Sequence, residues 1–153
     1  MKPLLAVTIV AALLSPVVAL AQGKVLYPRA QALADGVVTR NPDMLDVILH
    51  VSPGPQAKNI VVAAHLRGAN GEDSGEDDLG VMKTGAPLVE VQKDGARLGV
   101  LVQMRDAEHH AIGALGLMFP YKPGDDVEAT VRRAFAIRDG LAGAIHSPAD
   151  LVG

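Results

Sequence analysis

Residues 87–119 read PLVEVQKDGARLGVLVQMRDAEHHAIGALGLMF, and three strands can be read from them in a row. PLVEVQ alternates, with Leu88 and Glu90 opposite Val89 and Val91. Lys93-Asp94-Gly95 is a hairpin turn, in which Asp-Gly is the strong element. RLGVLVQMR puts Leu98, Val100, Val102 and Met104 on one face, and Arg97, Gln103 and Arg105 on the other. AIGALGLMF is the third strand, and YKPGDD closes it. Connections this short make neighbouring strands antiparallel.

The turn between the last two strands holds His109 and His110 beside Asp106 and Glu108. Adjacent residues in extended chain point to opposite sides. A metal needs ligands that converge, as an i, i+4 pair on a helix does. A solvated turn is therefore the simpler reading of these histidines.

Upstream, MLDVILHV alternates, with Leu45, Val47, Leu49 and Val51 facing one way and Asp46 and His50 the other. SPGPQAKN is a loop on composition, and NIVVAAHL is a short apolar run that reads as a strand buried on both faces. Ahead of these, Ala30, Leu33, Ala34, Val37 and Val38 form one apolar stripe at helical spacing. Pro28 suits a first turn, and Asn41-Pro42 ends it, which predicts a helix over 28–40. RGANGEDSGEDD is an exposed acidic loop. Within it Ser74-Gly75-Glu76-Asp77 has the form of a capping box, which predicts a short helix over 75–83, stopped at Thr84-Gly85. After the third strand Asp125 is positioned to cap, and Val127, Val131, Ala134, Phe135, Leu141, Ala142 and Ile145 share a stripe. That predicts a last helix over 126–145. The expected fold is an α+β domain: a five-stranded antiparallel sheet with an N-terminal helix, a short helical insert and a C-terminal helix, the helices on one face.

The chain starts MKPLLAVTIVAALLSPVVALAQG. A positive Lys2, an apolar run, Pro16 and the small-x-small Ala19-Leu20-Ala21 predict a signal peptide over 1–21 and a periplasmic or secreted product. Removing 21 residues from 153 leaves 132, enough for one domain with a real core. That remainder carries 13 basic against 17 acidic residues, a net −4 with histidine neutral. It contains no basic block, which argues against nucleic acid, and no second run long enough to hold it in a membrane after cleavage. The sequence has no cysteine, which excludes disulfides, thiolate catalysis and cysteine-ligated metals. Its aromatic residues are Tyr27, Phe119, Tyr121 and Phe135, too few for a stacking groove.

Two strands, a helical insert and a three-stranded meander resemble the order of PAS-like extracellular sensor domains of the Cache or PDC type. The stretch GEDDLGVMKTGAPLVEVQKDGARLGVLVQMRDAEHHAIGALGLMF is the closest part, with an acidic DL-V--TG-P segment leading into a hairpin and a strand ending in Arg105-Asp106 that turns into I-G-A-L-G. The resemblance is best over 59–119. It departs at the turn after Asp106, where a glycine is usual and none occurs here. Either that turn is one residue looser or His109 adopts a left-handed conformation. The resemblance implies a small-molecule pocket between the sheet and the helical insert, and a signalling partner in the membrane.

Six residues are candidates for that pocket. Arg138 falls in the apolar stripe of the last helix, where a guanidinium needs a partner; a native carboxylate such as Asp106 is one, and an anionic ligand held by two bonds is another. His65 and Arg67 end the strand that borders the pocket in the resemblance, and His65 equally fits a structural histidine. Gly116, sharing a face with Ala114, leaves room on the sheet, and Gly113 and Gly116 mark a close approach of a helix or a ligand. Lys83 and Tyr121 are rim donors. The acids of 72–78 do not match a calcium loop, and no nucleophile or phosphate-loop motif occurs. The expected function is small-molecule binding without catalysis and without a resident cofactor. The alternatives are haem or metal binding through His65 or His50, and an interaction module that pairs with a membrane receptor or a second copy.

Overall fold

The computed structural model describes residues 23–153; the expected signal peptide, 1–21, lies outside them. Helix α1 (Pro28–Arg40) is followed by strands β1 (Asp46–Val51) and β2 (Ile60–Ala64), helix α2 (Glu76–Thr84), strands β3 (Leu88–Val91), β4 (Arg97–Arg105) and β5 (Ala111–Pro120), and helices α3 (Val127–Ala142) and α4 (Ala149–Val152). The five strands form one sheet in the order β2-β1-β5-β4-β3, and every neighbouring pair is antiparallel.

Alternation explains which face is which. Directly opposed residues of antiparallel strands share a face. Leu49 pairs with Leu115, and Leu115 with Val102; Val47 pairs with Leu117, and Leu117 with Val100. These residues are at most 1% exposed and join Leu98, Met104 and Phe119 in the core. Helices α1, α3 and α4 cover this face with Ala30, Ala34, Val37, Ala134, Leu141 and Leu151. Burying each leucine this way contributes about 1.5–3 kcal/mol.

The opposite face carries Ile48, His50, Ala114, Gly116, Leu101 and Gln103. Helix α2 lies on it, tied by Gln103 Nε2 donating to Met82 O at 2.8 Å. The helices therefore occupy both faces rather than one. Alanine and glycine on β5 leave the second face low enough for a short helix to lie across it.

The strand edges differ as well. On β2, Val61, Val62, Ala63 and Ala64 are all buried, and its outer edge is paired by the following loop. There Val61 N donates to Glu72 O, Gly71 N donates to Val61 O, and Ile60 bridges Asp73. On β3 all four residues are exposed, and no strand among the described residues pairs with its outer edge.

The turn between β4 and β5 is closed by side-chain acceptance. Asp106 Oδ1 accepts from Glu108 N and His110 N, both at 2.9 Å. His109 has φ 68°, taking the left-handed position in place of the missing glycine. Ala107 N donates to Ile145 O at 2.7 Å, which anchors the turn to the chain after α3. That helix ends at Ala142 rather than 145, because tight turns over 141–144 and 142–145, closed by Ala144 N donating to Leu141 O and Ile145 N donating to Ala142 O, carry Ile145 into the core.

Candidate functional site

A groove of about 300 Å³ opens on the α2 face of the sheet. Its floor is Ile48, Leu101, Gly116 and Met118, its wall is the start of α2, and its rim is Glu90 and Gln92 from β3. The size is at the low end for small-molecule sites, and an apolar floor with a few polar groups is their usual make-up.

The two strand glycines on β5 have different causes. A Cβ on Gly113 would meet His50 O at 2.1 Å, so Gly113 is required by the close approach of β1. A Cβ on Gly116 would meet Ile48 Cβ at 3.5 Å, an ordinary contact. Gly116 leaves space that is not needed for strand pairing, and that space is the groove.

His50 is the buried polar residue of this site, 7% exposed. Its Nδ1 lies 3.0 Å from Ser74 Oγ and 3.4 Å from Asp78 Oδ2. Ser74 Oγ donates its one proton to Asn59 Oδ1 at 2.6 Å, so toward His50 it is an acceptor and the imidazole carries its proton on Nδ1. Nε2 is left as a lone-pair acceptor with no protein partner among the described residues, and the open space that His50 borders is the groove. Burial pushes the His50 pKa down, against a smaller upward pull from the Asp78 carboxylate, so the ring is neutral at neutral pH.

Ser74, His50 and Asp78 are the residue types of a hydrolytic triad, but the geometry is not one. Serine and aspartate meet the same ring nitrogen, and the serine proton goes to an amide. A triad places its serine and its acid on different nitrogens.

Asp78 is held by the helix start. Its Oδ2 accepts from Gly75 N at 2.8 Å, which makes Gly75 the N-cap and Asp78 the reciprocal acid. The box thus sits one residue later than Ser74-Asp77, and Ser74 is released to His50 and Asn59. A similar shift occurs at α3, where Asp126 rather than Asp125 caps, accepting from Ala129 N at 2.9 Å.

Of the six expected pocket residues, Gly116 lines the groove. Lys83 is exposed on the last turn of α2. Tyr121 packs against the core, its N donating to Ala96 O at 2.8 Å. Arg138 lies on α3, across the sheet from Gly116. Its side chain, 12% exposed, pairs with Asp139 at 2.7 Å and covers the Phe135 ring at 4.8 Å. Asp106, the carboxylate considered for it, serves the β4–β5 turn instead.

His65 and Arg67 meet at the far end of β2. Asp35 of α1 joins them, with Oδ1 2.8 Å from His65 Nδ1 and Oδ2 2.8 Å from Arg67 Nη2. Gln31 donates to Asp35 Oδ1 and to Ala64 O, and Asn70 donates to Gln31 and accepts from Ala64 N. This network fastens α1 to β2 and its loop. Nearby Asp46 has its pKa raised by burial, against hydrogen bonds from Leu66 N and Val47 N.

The residues missed were His50 as a groove residue, and Asp77, Asp78, Glu90 and Gln92. His50 could have been found by its place opposite Leu49 and Val51 on a strand, had the pairing of β1 with β5 been known. Among the described residues no group of three His, Asp or Glu side chains converges as metal ligands would, and no helix is long and apolar enough to cross a membrane. No protein-family pattern matches this chain, and no curated protein matches it in sequence.

Proposed function

We propose that the protein is an exported, sensor-like domain that binds a small molecule without turning it over, in the groove between the sheet and α2. The observation that carries the reading is His50 Nε2, an acceptor without a protein partner among the described residues, beside an apolar floor opened by Gly116. The resemblance to PAS-like domains of the Cache type supports it, since it implies a pocket between sheet and helical insert. The misaligned Ser74 and Asp78 support binding over hydrolysis. The outer β3 edge, with Leu88, Val89 and Val91 exposed, suits pairing with a membrane receptor or a second copy by strand addition.

A thermal-shift screen with organic acids, amino acids, amines, purines and haem tests the reading. A ligand at a hundredfold its Kd adds about 2.7 kcal/mol to stability. At least one compound is expected to raise Tm in the wild-type chain and to do nothing in Gly116→Leu, where the side chain fills the groove. A broad screen without any shift would count against binding.

A further inference from the structure

The groove's charge is one-sided. Asp77, Asp78 and Glu90 line it, and no lysine or arginine does. Asp78 faces His50, while Asp77 and Glu90 have no ion-pair partner among the described residues. Acids at a helix start are usually only the complement of its dipole. Here Asp78 lies 3.4 Å from the ring of His50, a side chain more than nine-tenths buried whose Nε2 has no protein partner among the described residues, and the same groove is lined by Asp77 and Glu90.

Each ligand class can be weighed against this lining. The N-terminus of α2 would by itself draw an anion, but Glu76, Asp77 and Asp78 in its first turn already answer it. A carboxylate or phosphate would enter among three like charges, and so would a haem, through its propionates. A bare metal ion lacks convergent ligands among the described residues. A neutral apolar molecule suits the floor but leaves Nε2 and the rim unanswered. An ammonium group answers both, since it carries three N–H donors and no acceptor.

We infer that the groove takes a small organic ammonium ion, an amine on a short apolar body. Its charged end bonds to His50 Nε2 in the field of the acidic lining, and its body lies on Ile48, Leu101, Gly116 and Met118. This rests on the groove being the binding site and adds the charge of what it binds.

Isothermal titration of the full chain at pH 7.5 with n-hexylamine, n-hexanol, sodium hexanoate and calcium chloride separates the two claims. The amine is expected to bind at least about tenfold tighter than the hexanoate. The double variant Asp77→Asn, Glu90→Gln is expected to lose most of that preference, read as the ratio of amine to hexanoate affinity. Both side chains are exposed and make no ion pair among the described residues, and Glu76 and Asp78 remain in the first turn of α2 to answer its dipole. Gly116→Leu should remove amine and alcohol binding together. Hexanoate binding as tightly as the amine, or an amine preference that survives the double variant, would overturn the charge assignment and leave the groove standing. Saturable calcium binding that displaces the amine would overturn it in favour of a metal. Amine and alcohol binding that persists in Gly116→Leu would instead remove the groove as the site.

Discussion

On one face of the sheet Leu49, Leu115, Leu117 and Val100 are sealed beneath α1, α3 and α4. On the other, Ile48, Gly116 and Leu101 stay partly open beside the first turn of α2. The same strands supply both, with neighbouring residues on opposite sides. The first face has large branched side chains and no charge. The second has small residues, a buried imidazole and acids. A sheet has to be packed on one face to be stable, and the second face is then free to carry a site. Substitutions that treat the faces differently should therefore separate stability from binding.

The largest effect is expected at the sealed face. Leu49→Ala removes a fully buried side chain and should cost about 2–5 kcal/mol in urea unfolding, whereas Leu101→Ala, on the groove floor, should cost about 1 kcal/mol. An equal loss at both would mean that the groove face is packed as tightly as the core. Next come the two glycines of β5. Gly113→Ala pushes a Cβ into His50 O and should destabilise by about 1–3 kcal/mol. Gly116→Ala should change stability by less than about 0.5 kcal/mol.

A smaller effect follows from pH. The folded-state pKa of His50 lies below its ordinary value of 6.5, so just below that pH the unfolded chain binds more protons than the native one. Stability should fall as pH drops below about 6.5, and His50→Gln should flatten that part of the Tm profile. Protonation would also put a second cation beside any ammonium ligand, so amine affinity should fall over the same range. His50, Asp77, Asp78 and Glu90 are the titratable groups that line the groove. Asp43, drawn down chiefly by its bond to Arg133, loses its contribution only as pH falls below its ordinary 3.8, so the two windows are distinct. Arg138→Ala loses the cover over Phe135 and should cost about 1 kcal/mol in stability, with no effect on the site. Ligand binding should be unchanged, because the residue stands on the other side of the sheet.

Much of the fold was legible because it is written in local alternation. Leu98, Val100, Val102 and Met104 announce a strand with one buried face, and Asp94-Gly95 announces its turn. The absent glycine after Asp106 left two options, and His109 takes the left-handed one. Cap positions came out one residue early at both Ser74 and Asp125, because backbone geometry rather than residue type decides between adjacent candidates. The site was less legible. Arg138 is largely buried, as its place in the stripe of α3 implied, but periodicity says nothing of which side of a sheet a helix will take. His50 and Gly116 are 66 positions apart and share a face only through the pairing of β1 with β5, strands that are not neighbours in the chain. Helical and strand periods are short-range signals; that register is set by how the whole sheet closes.

The most direct measurement is a crystal structure of the protein with the tightest ligand from the thermal-shift screen. Ligand density is expected above Gly116, with a donor within hydrogen-bond distance of His50 Nε2 and the body of the molecule on Ile48 and Leu101. Density at Asp35, His65 and Arg67, or beside Arg138 on the helical face, with the groove left open, would contradict it.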